Sequence, residues 1–251
     1  MIKQAMIFAA GLGTRLRPIT DTRPKALVEV GGRPLLWHVL SKLSAAGYER
    51  VVVNVHHLAD QIEDYLRVND FGLDVRVSDE RRQLLDTGGA IKHARPLLDE
   101  DSPVLIHNVD ILSNVSFEWF SHQHLDSEDA VLLVSRRQTK RYLLFDNAMR
   151  LMGWRNIETG EVKSPYEYVR LTGLSQHGEP FNELAFSGIH SLSPRLFPLM
   201  DRFPDRFSII DFYLSVCHRA AVYGCTRDDL RLMDVGKTET IVQAEEFLRS
   251  I

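Results

Sequence analysis

The stretch richest in chemical possibility lies near the amino terminus: Ala9-Ala10-Gly11-Leu12-Gly13-Thr14-Arg15-Leu16-Arg17-Pro18, running on to Pro24-Lys25. It follows an apolar run, Gln4 to Ala10, that reads as a buried strand. A glycine-rich turn in that place lets backbone N–H groups approach phosphates or a base closely. A dinucleotide fingerprint would need a third glycine where Leu16 stands, and a Walker A loop would need Lys-Ser/Thr where Thr14-Arg15 stands. Gly236-Lys237-Thr238 ends like a Walker A loop, but position 231, where its first glycine would sit, is Arg231. What remains is the turn Ala10-Gly11-Leu12-Gly13-Thr14 with two cations, Arg15 and, ten residues on, Lys25. An arginine fork and a mobile ammonium can hold a polyphosphate from two sides.

Two aspartates form a second constellation. Asp110 follows the apolar run Pro103 to His107, and Asp234 closes Arg231 to Asp234. In an open parallel sheet, ligands bind beyond the carboxyl ends of the strands, so both aspartates and the glycine turn are expected on one rim. A few hard oxygen donors, with room for water and phosphate oxygens, suit Mg²⁺. A third segment, Asp79-Glu80 and Leu85-Asp86-Thr87-Gly88-Gly89, is expected to start a helix at Thr87 or Gly88, with free N–H groups there. The histidines His56, His57, His122, His124, His190 and His218 are read as structural or surface groups; His122 and His124, two apart, do not share a helix face.

These residues need a frame to hold them. Pro34 is expected to open a helix at its first position, with Leu36, Val39, Leu40 and Leu43 buried and Gly47 ending it. Val51 to Val55 is short, β-branched and continuously apolar, as in a strand covered on both faces. A helix with Leu58, Ile62, Tyr65 and Leu66, a strand Leu73 to Val77, a helix with Ile91, Ala94, Leu97 and Leu98, and strands Pro103 to His107 and Val131 to Val134 follow. Alternation of this kind gives a parallel sheet with helices on both faces. Residues 140 to 190 instead carry short strand-like pieces, Tyr142 to Phe145 and Ala185 to His190, broken by glycines, and read as antiparallel hairpins. Ala221 to Tyr223 and Arg231 to Asp234 are expected strands, and Thr238 to Arg249 a closing helix. The expected fold is α/β: a Rossmann-like, mostly parallel mixed sheet flanked by helices, with a smaller β subregion. We expect one domain over 1–251, with an alternating strand–helix half to about residue 135 and a closing half from about 136.

With 251 residues, 44% apolar and 25% charged, the chain is long enough to bury a core without staples. A net charge of −4 argues against a nucleic-acid track. Cys217 and Cys225 suggest a reducing compartment and make neither a disulfide framework nor a zinc site. The run Ala5 to Ala10 is too short for a signal sequence and no run reaches a membrane span, so a cytoplasmic location is expected.

The segment Gly11 to Thr20 with Arg23-Pro24-Lys25-Ala26-Leu27 resembles the signature of the sugar-1-phosphate nucleotidyltransferases, and the likeness extends over nearly the whole chain. Gln61 to Leu66, Asp86 to Ile91, Asn108-Val109-Asp110, Phe186 to Ile189 and Met233 to Gly236 carry a more particular likeness to N-acetylmuramate 1-phosphate uridylyltransferases. The resemblance implies an NTP, UTP first, and a sugar 1-phosphate as substrates, Mg²⁺ on Asp110 and Asp234, and catalytic roles for Arg15 and Lys25. It implies nucleotide contacts at Ala10 to Thr14, Glu80, Thr87 and Gly88, and sugar contacts at Asn108, Ser187 and Gly188. A strand bulge is an equal reading of Phe186-Ser187-Gly188. Guanylyl or cytidylyl transfer onto mannose 1-phosphate, heptose 1-phosphate or phosphocholine is the alternative, as is an inactive regulatory relative; a monomer and a homodimer fit equally. Three departures stand out: Val109 where the family has glycine, Lys237 where it has threonine, and no Glu-Lys-Pro segment for the sugar phosphate, leaving Lys140, Arg141 and Lys163 as candidates.

Overall fold

A computed structural model describes residues 2–251. Gln4–Phe8 lies at the centre of a ten-stranded sheet, paired in parallel with Arg50–Val55 on one side and Val104–Asn108 on the other; Asp74–Asp79 adds a further parallel strand. The continuous apolar runs are explained by cover on both faces. Ala5, Ile7, Val51, Val53 and Leu105 pack into one core with Leu35–Ala45, while Met6, Val52, Val104 and Ile106 pack into another with Asp86–Ala94 and Ile209–Val216.

Asn182–Leu192 joins the two halves. Its end, Ile189–Leu192, runs antiparallel to Val104–Asn108, and Ala130–Ser135 runs antiparallel to it in turn, carrying Val222–Cys225 in parallel. Two reversals restore direction, so Ala130–Ser135 and Val222–Cys225 end on the same rim as the first-half strands. The beginning of the same long strand, Asn182–Leu184, pairs with Arg141–Phe145, from which the antiparallel strands Leu151–Asn156 and Val162–Lys163 continue. This region has its own small core of Leu144, Met152, Val169 and Phe181.

Some expectations shift. Pro34 is not the first helical residue: at ψ 148 it caps Leu35–Ala45 from outside, because it also closes the two-strand ladder Glu29–Val30 with Arg33–Pro34. The helix expected to start at Thr87 or Gly88 starts at Asp86. Leu232–Asp234 does not enter the main sheet; it pairs with Ile111–Ser113 in a separate two-stranded ribbon. The chain has already turned out of the sheet after Asn108, which leaves Ile111–Ser113 as an open edge for it. Among the described residues no helix is long and apolar enough to cross a membrane.

Candidate active site

The glycine turn is shaped from below. Ala9 and Ala10 are buried, and their N–H groups donate to Asn54 Oδ1 at 2.7 and 3.3 Å. Asn54 Nδ2 donates to Glu80 Oε1 at 2.7 Å, and the other Glu80 oxygen accepts the Leu85 N–H at 3.1 Å. Asn54 and Glu80 are 3% and 2% exposed, so this chain of bonds runs through the interior from the glycine turn to the 80–85 loop. Burial raises the Glu80 carboxyl above its ordinary range. The sequence offered one sign of Asn54: a lone amide in the run Val51-Val52-Val53-Asn54-Val55.

Above this support the turn is tight at one glycine and open at the other. Gly13 sits at φ 63, and a Cβ there would lie 2.7 Å from Thr20 Cγ2; the Thr20 hydroxyl donates to Gly13 O at 2.8 Å. A Cβ at Gly11 would meet nothing within 4 Å, so that glycine leaves space on the cleft side. Leu16 is buried and anchors the turn Thr14–Leu16, while Leu12, Thr14 and Arg15 stay exposed.

Lys25, the first residue of the turn Lys25–Leu27, places its ammonium on Asp110 Oδ2, both side chains mostly buried. Asp110 and Asp234 are held together by the ribbon: Asp234 pairs with Ile111, and the Val235 N–H donates to Asp110 O at 2.8 Å. Asp234 keeps an exposed surface, yet its carboxyl is raised, first by desolvation in the crevice and next by the Asp110 charge; Lys25, Arg15 and Arg137 oppose the rise. Gly236 shows where Arg15 lies, since a Cβ there would be 2.6 Å from Asp234 Oδ1 and 2.7 Å from Arg15 Nη2. Residues spread from position 15 to position 234 thus bring two carboxylates, an ammonium and a guanidinium to one rim. The donor set is oxygen only, and among the described residues no third His, Cys, Asp or Glu completes a cluster. Two carboxylates that leave the remaining positions to water and phosphate oxygens fit Mg²⁺.

Ala10, Gly11, Lys25, Glu80, Thr87, Asn108 and Asp110 border one cleft of about 400 Å³, joined by Asp86 of the third segment and by Asn54 and Arg206, which sequence reasoning missed. Nothing in the spacing pointed to Arg206, which arrives from a distant loop. Val109 borders the same cleft but is 4% exposed, packed in the core behind the rim.

Three expected contacts have other partners. The Gly88 and Gly89 N–H groups, expected to be free, both donate to Phe207 O, at 2.9 and 3.2 Å. A Cβ at Gly89 would lie 2.0 Å from Asp205 O, so these glycines let the helix press against residues 205–207. Thr87 Oγ1 accepts the Ile209 N–H at 2.9 Å, at the first residue of the helix Ile209–Val216. Ser187 is 1% exposed and donates to Leu133 O at 2.6 Å, within a register shift between Phe186 and His190: the bulge. Gly188, at φ 76, makes room for Asn108, whose Nδ2 would be 2.7 Å from a Cβ. Of the departures, Lys237 is exposed at the turn that starts the last helix, its carbonyl accepting the Thr240 hydroxyl at 2.6 Å. Lys140 pairs with Glu158 at 2.5 Å. Arg141 and Lys163 instead line a second pocket of about 500 Å³, with Arg137, Trp154 and Phe186.

A phosphate-sized turn, paired carboxylates and two cations at the carboxyl edge of an α/β sheet define a site for phosphoryl chemistry on a nucleotide. Comparison with known proteins agrees. The model of the nucleotidyl transferase family matches residues 4–142. The chain is 35% identical over 98% of its length, and 97% of the other chain, to an N-acetylmuramate alpha-1-phosphate uridylyltransferase of Caulobacter vibrioides. It is 32% identical, over 55% of its length and 40% of the other's, to a mannose-1-phosphate guanylyltransferase catalytic subunit beta of Xenopus tropicalis. The fold matches the crystal structure of a putative glucose-1-phosphate thymidylyltransferase from Bacillus anthracis at TM-score 0.79 and 16% identity, over 100% of this chain and 96% of that one. The chain belongs to the nucleotidyl transferase family and is a sugar-1-phosphate nucleotidyltransferase.

Proposed function

We propose that this enzyme joins UTP and N-acetylmuramate 1-phosphate to give UDP-N-acetylmuramate and pyrophosphate, in the cytoplasm and for use in the cell wall. The observation that carries this reading is the convergence of Arg15, Lys25, Asp110 and Asp234 on one rim, in a chain alike over almost its full length to a uridylyltransferase of that sugar. In this reading residues to about 135 hold the nucleotide, and those from about 136 hold the sugar and close the site.

The sugar phosphate oxygen attacks the α-phosphorus, the bond to the β-phosphate oxygen breaks, and pyrophosphate leaves. The attacking group is already anionic, so no side-chain nucleophile is needed and positioning with charge stabilisation does the work. Backbone N–H groups of Gly11 to Thr14 face the triphosphate. Arg15 neutralises the departing pyrophosphate, and Lys25 turns from Asp110 to the α-phosphoryl oxygens. Asp110 and Asp234 would hold Mg²⁺, which when bound offsets the repulsion between the two reacting phosphates. Glu80 acts on the nucleotide through the 80–85 loop it anchors, and Thr87 borders the base. Asn108, kept in place by Gly188, reaches toward the sugar phosphate, and Ser187 supports it from within the bulge.

A pyrophosphate-release screen of four NTPs against sugar 1-phosphates, with Mg²⁺, tests the reading. UTP with N-acetylmuramate 1-phosphate should be the best pair. GTP with mannose 1-phosphate as the best pair would replace the substrate reading, and no release with any pair would indicate an inactive relative.

A further inference from the structure

The second pocket has the make-up of a sugar platform with a charge left over. Trp154 and Phe186 give it aromatic walls, and Leu143 and Ile210 add apolar surface. Its acids are spoken for: Asp211 pairs with Lys163 at 3.3 Å, and Glu161 lies 4.0 Å from the same ammonium, which also sits 5.2 Å over the Trp154 ring. Its arginines are not. Neither Arg137 nor Arg141 forms an ion pair among the described residues; Arg137 donates only to Phe186 O, at 2.9 Å. The two differ in position. Arg137 also borders a neighbouring pocket together with Leu232, two residues before Asp234, which places it at the phosphate end. Arg141 belongs to the hairpin. It is the register partner of Asn156, and Leu143 is the partner of Trp154, so strand alternation sets Arg141, Asn156, Leu143 and Trp154 on one face. That face is the pocket wall. A neutral sugar 1-phosphate brings a single anionic group to this region, and Arg137 with the rim cations already meets it.

We infer that Arg141 recognises a carboxylate on the sugar, making this pocket selective for an acidic sugar 1-phosphate. This rests on the proposed reaction and assigns a residue to its choice of substrate. A guanidinium suits the task because its planar fork matches a carboxylate, and such charge-assisted bonds are the strong ones.

The test compares two substrates that differ by one group: N-acetylmuramate 1-phosphate, which carries a lactyl carboxylate, and N-acetylglucosamine 1-phosphate, which does not. In the wild-type enzyme kcat/KM should favour the acidic sugar. Arg141→Gln should lower the ratio of the two kcat/KM values by about 10- to 100-fold, the range for losing a charged hydrogen bond, and mainly through KM. Arg141→Lys should restore part of it. Because the readout is a ratio within each protein, a general loss of stability does not move it. A ratio unchanged by Arg141→Gln, or a wild-type enzyme indifferent to the carboxylate while turning over both sugars, overturns this inference and leaves the nucleotidyl-transfer reading intact. No pyrophosphate release with either sugar and any NTP overturns both.

Discussion

The two sides of the rim are built on opposite plans. On the glycine-turn side, position is set from the interior: Asn54 and Glu80, almost fully buried, tie the turn to the 80–85 loop, and Gly88 and Gly89 lock a helix onto residues 205–207. On the hairpin side, strand alternation over a small core sets position, and the charged groups, Arg137 and Arg141 among them, stand exposed over an open pocket. The contrast separates two demands. Geometry at a reacting phosphorus has to be held within fractions of an ångström, which favours buried, mutually satisfied polar groups. Choice of substrate can be changed at low cost where side chains project from a hairpin face.

This contrast can be broken by substitution, and the largest effect belongs to the rim itself. Asp110→Asn should lower turnover about 10²–10³-fold, read as pyrophosphate release at saturating substrates; full turnover would remove the aspartate from the chemistry. Next come the glycines. Gly89→Ala drives a methyl against Asp205 O, 2.0 Å away, and should lower the free energy of unfolding in urea by ~3 kcal/mol, the upper end for overpacking. Gly160→Ala, in the hairpin region with nothing within 4 Å but φ 73, should lose only ~1 kcal/mol, from backbone strain. Equal losses would erase the difference between the regions. Asn54→Ala leaves the Ala9 N–H and a Glu80 oxygen buried without partners, and should cost about 1–3 kcal/mol. It should also raise KM for the nucleotide more than for the sugar phosphate, whereas a uniform loss would make Asn54 a folding residue only.

The smallest effect is with pH. On the proposed reading Asp234 would have to be ionised to hold the cation, and its carboxyl is raised, so the acid limb of kcat/KM should lie higher than an ordinary aspartate would give and move lower as Mg²⁺ is increased. In the ligand-free protein the sign is reversed. A raised acid costs stability above its folded pKa, and the cost disappears as pH falls toward the unfolded value of 3.8. Stability and activity should therefore respond to acid in opposite directions through this group.

The framework was legible because its signals are local. Val51 to Val55 announces a doubly covered strand, and the alternation of strands and helices fixes where their carboxyl ends lie, so the shared rim follows from period and order. What escaped depends on pairings far apart in sequence. Gly88 and Gly89 read as donors for a ligand because nothing near them reveals Phe207 as the acceptor. Asp234 reads as the end of a sheet strand because the open edge at Ile111–Ser113 exists only in three dimensions. Ser187 reads equally as a sugar contact and as part of a bulge; the register shift between Phe186 and His190 is present, and the Ser187 hydroxyl donates to Leu133 O across it. Asn54 left a trace, an amide among valines, but not its role.

Lys25 and Asp110 have one more consequence. Each neutralises the other while the crevice waits, so neither charge is stranded in a poorly hydrated place. In the proposed reaction, Asp110 would hold the nucleotide's counter-ion and Lys25 would turn to the polyanion, so that both side chains would keep a partner of opposite charge. A bare cation or a bare triphosphate would leave one of the two without a partner, so on the proposed reading either alone should bind more weakly than the two together.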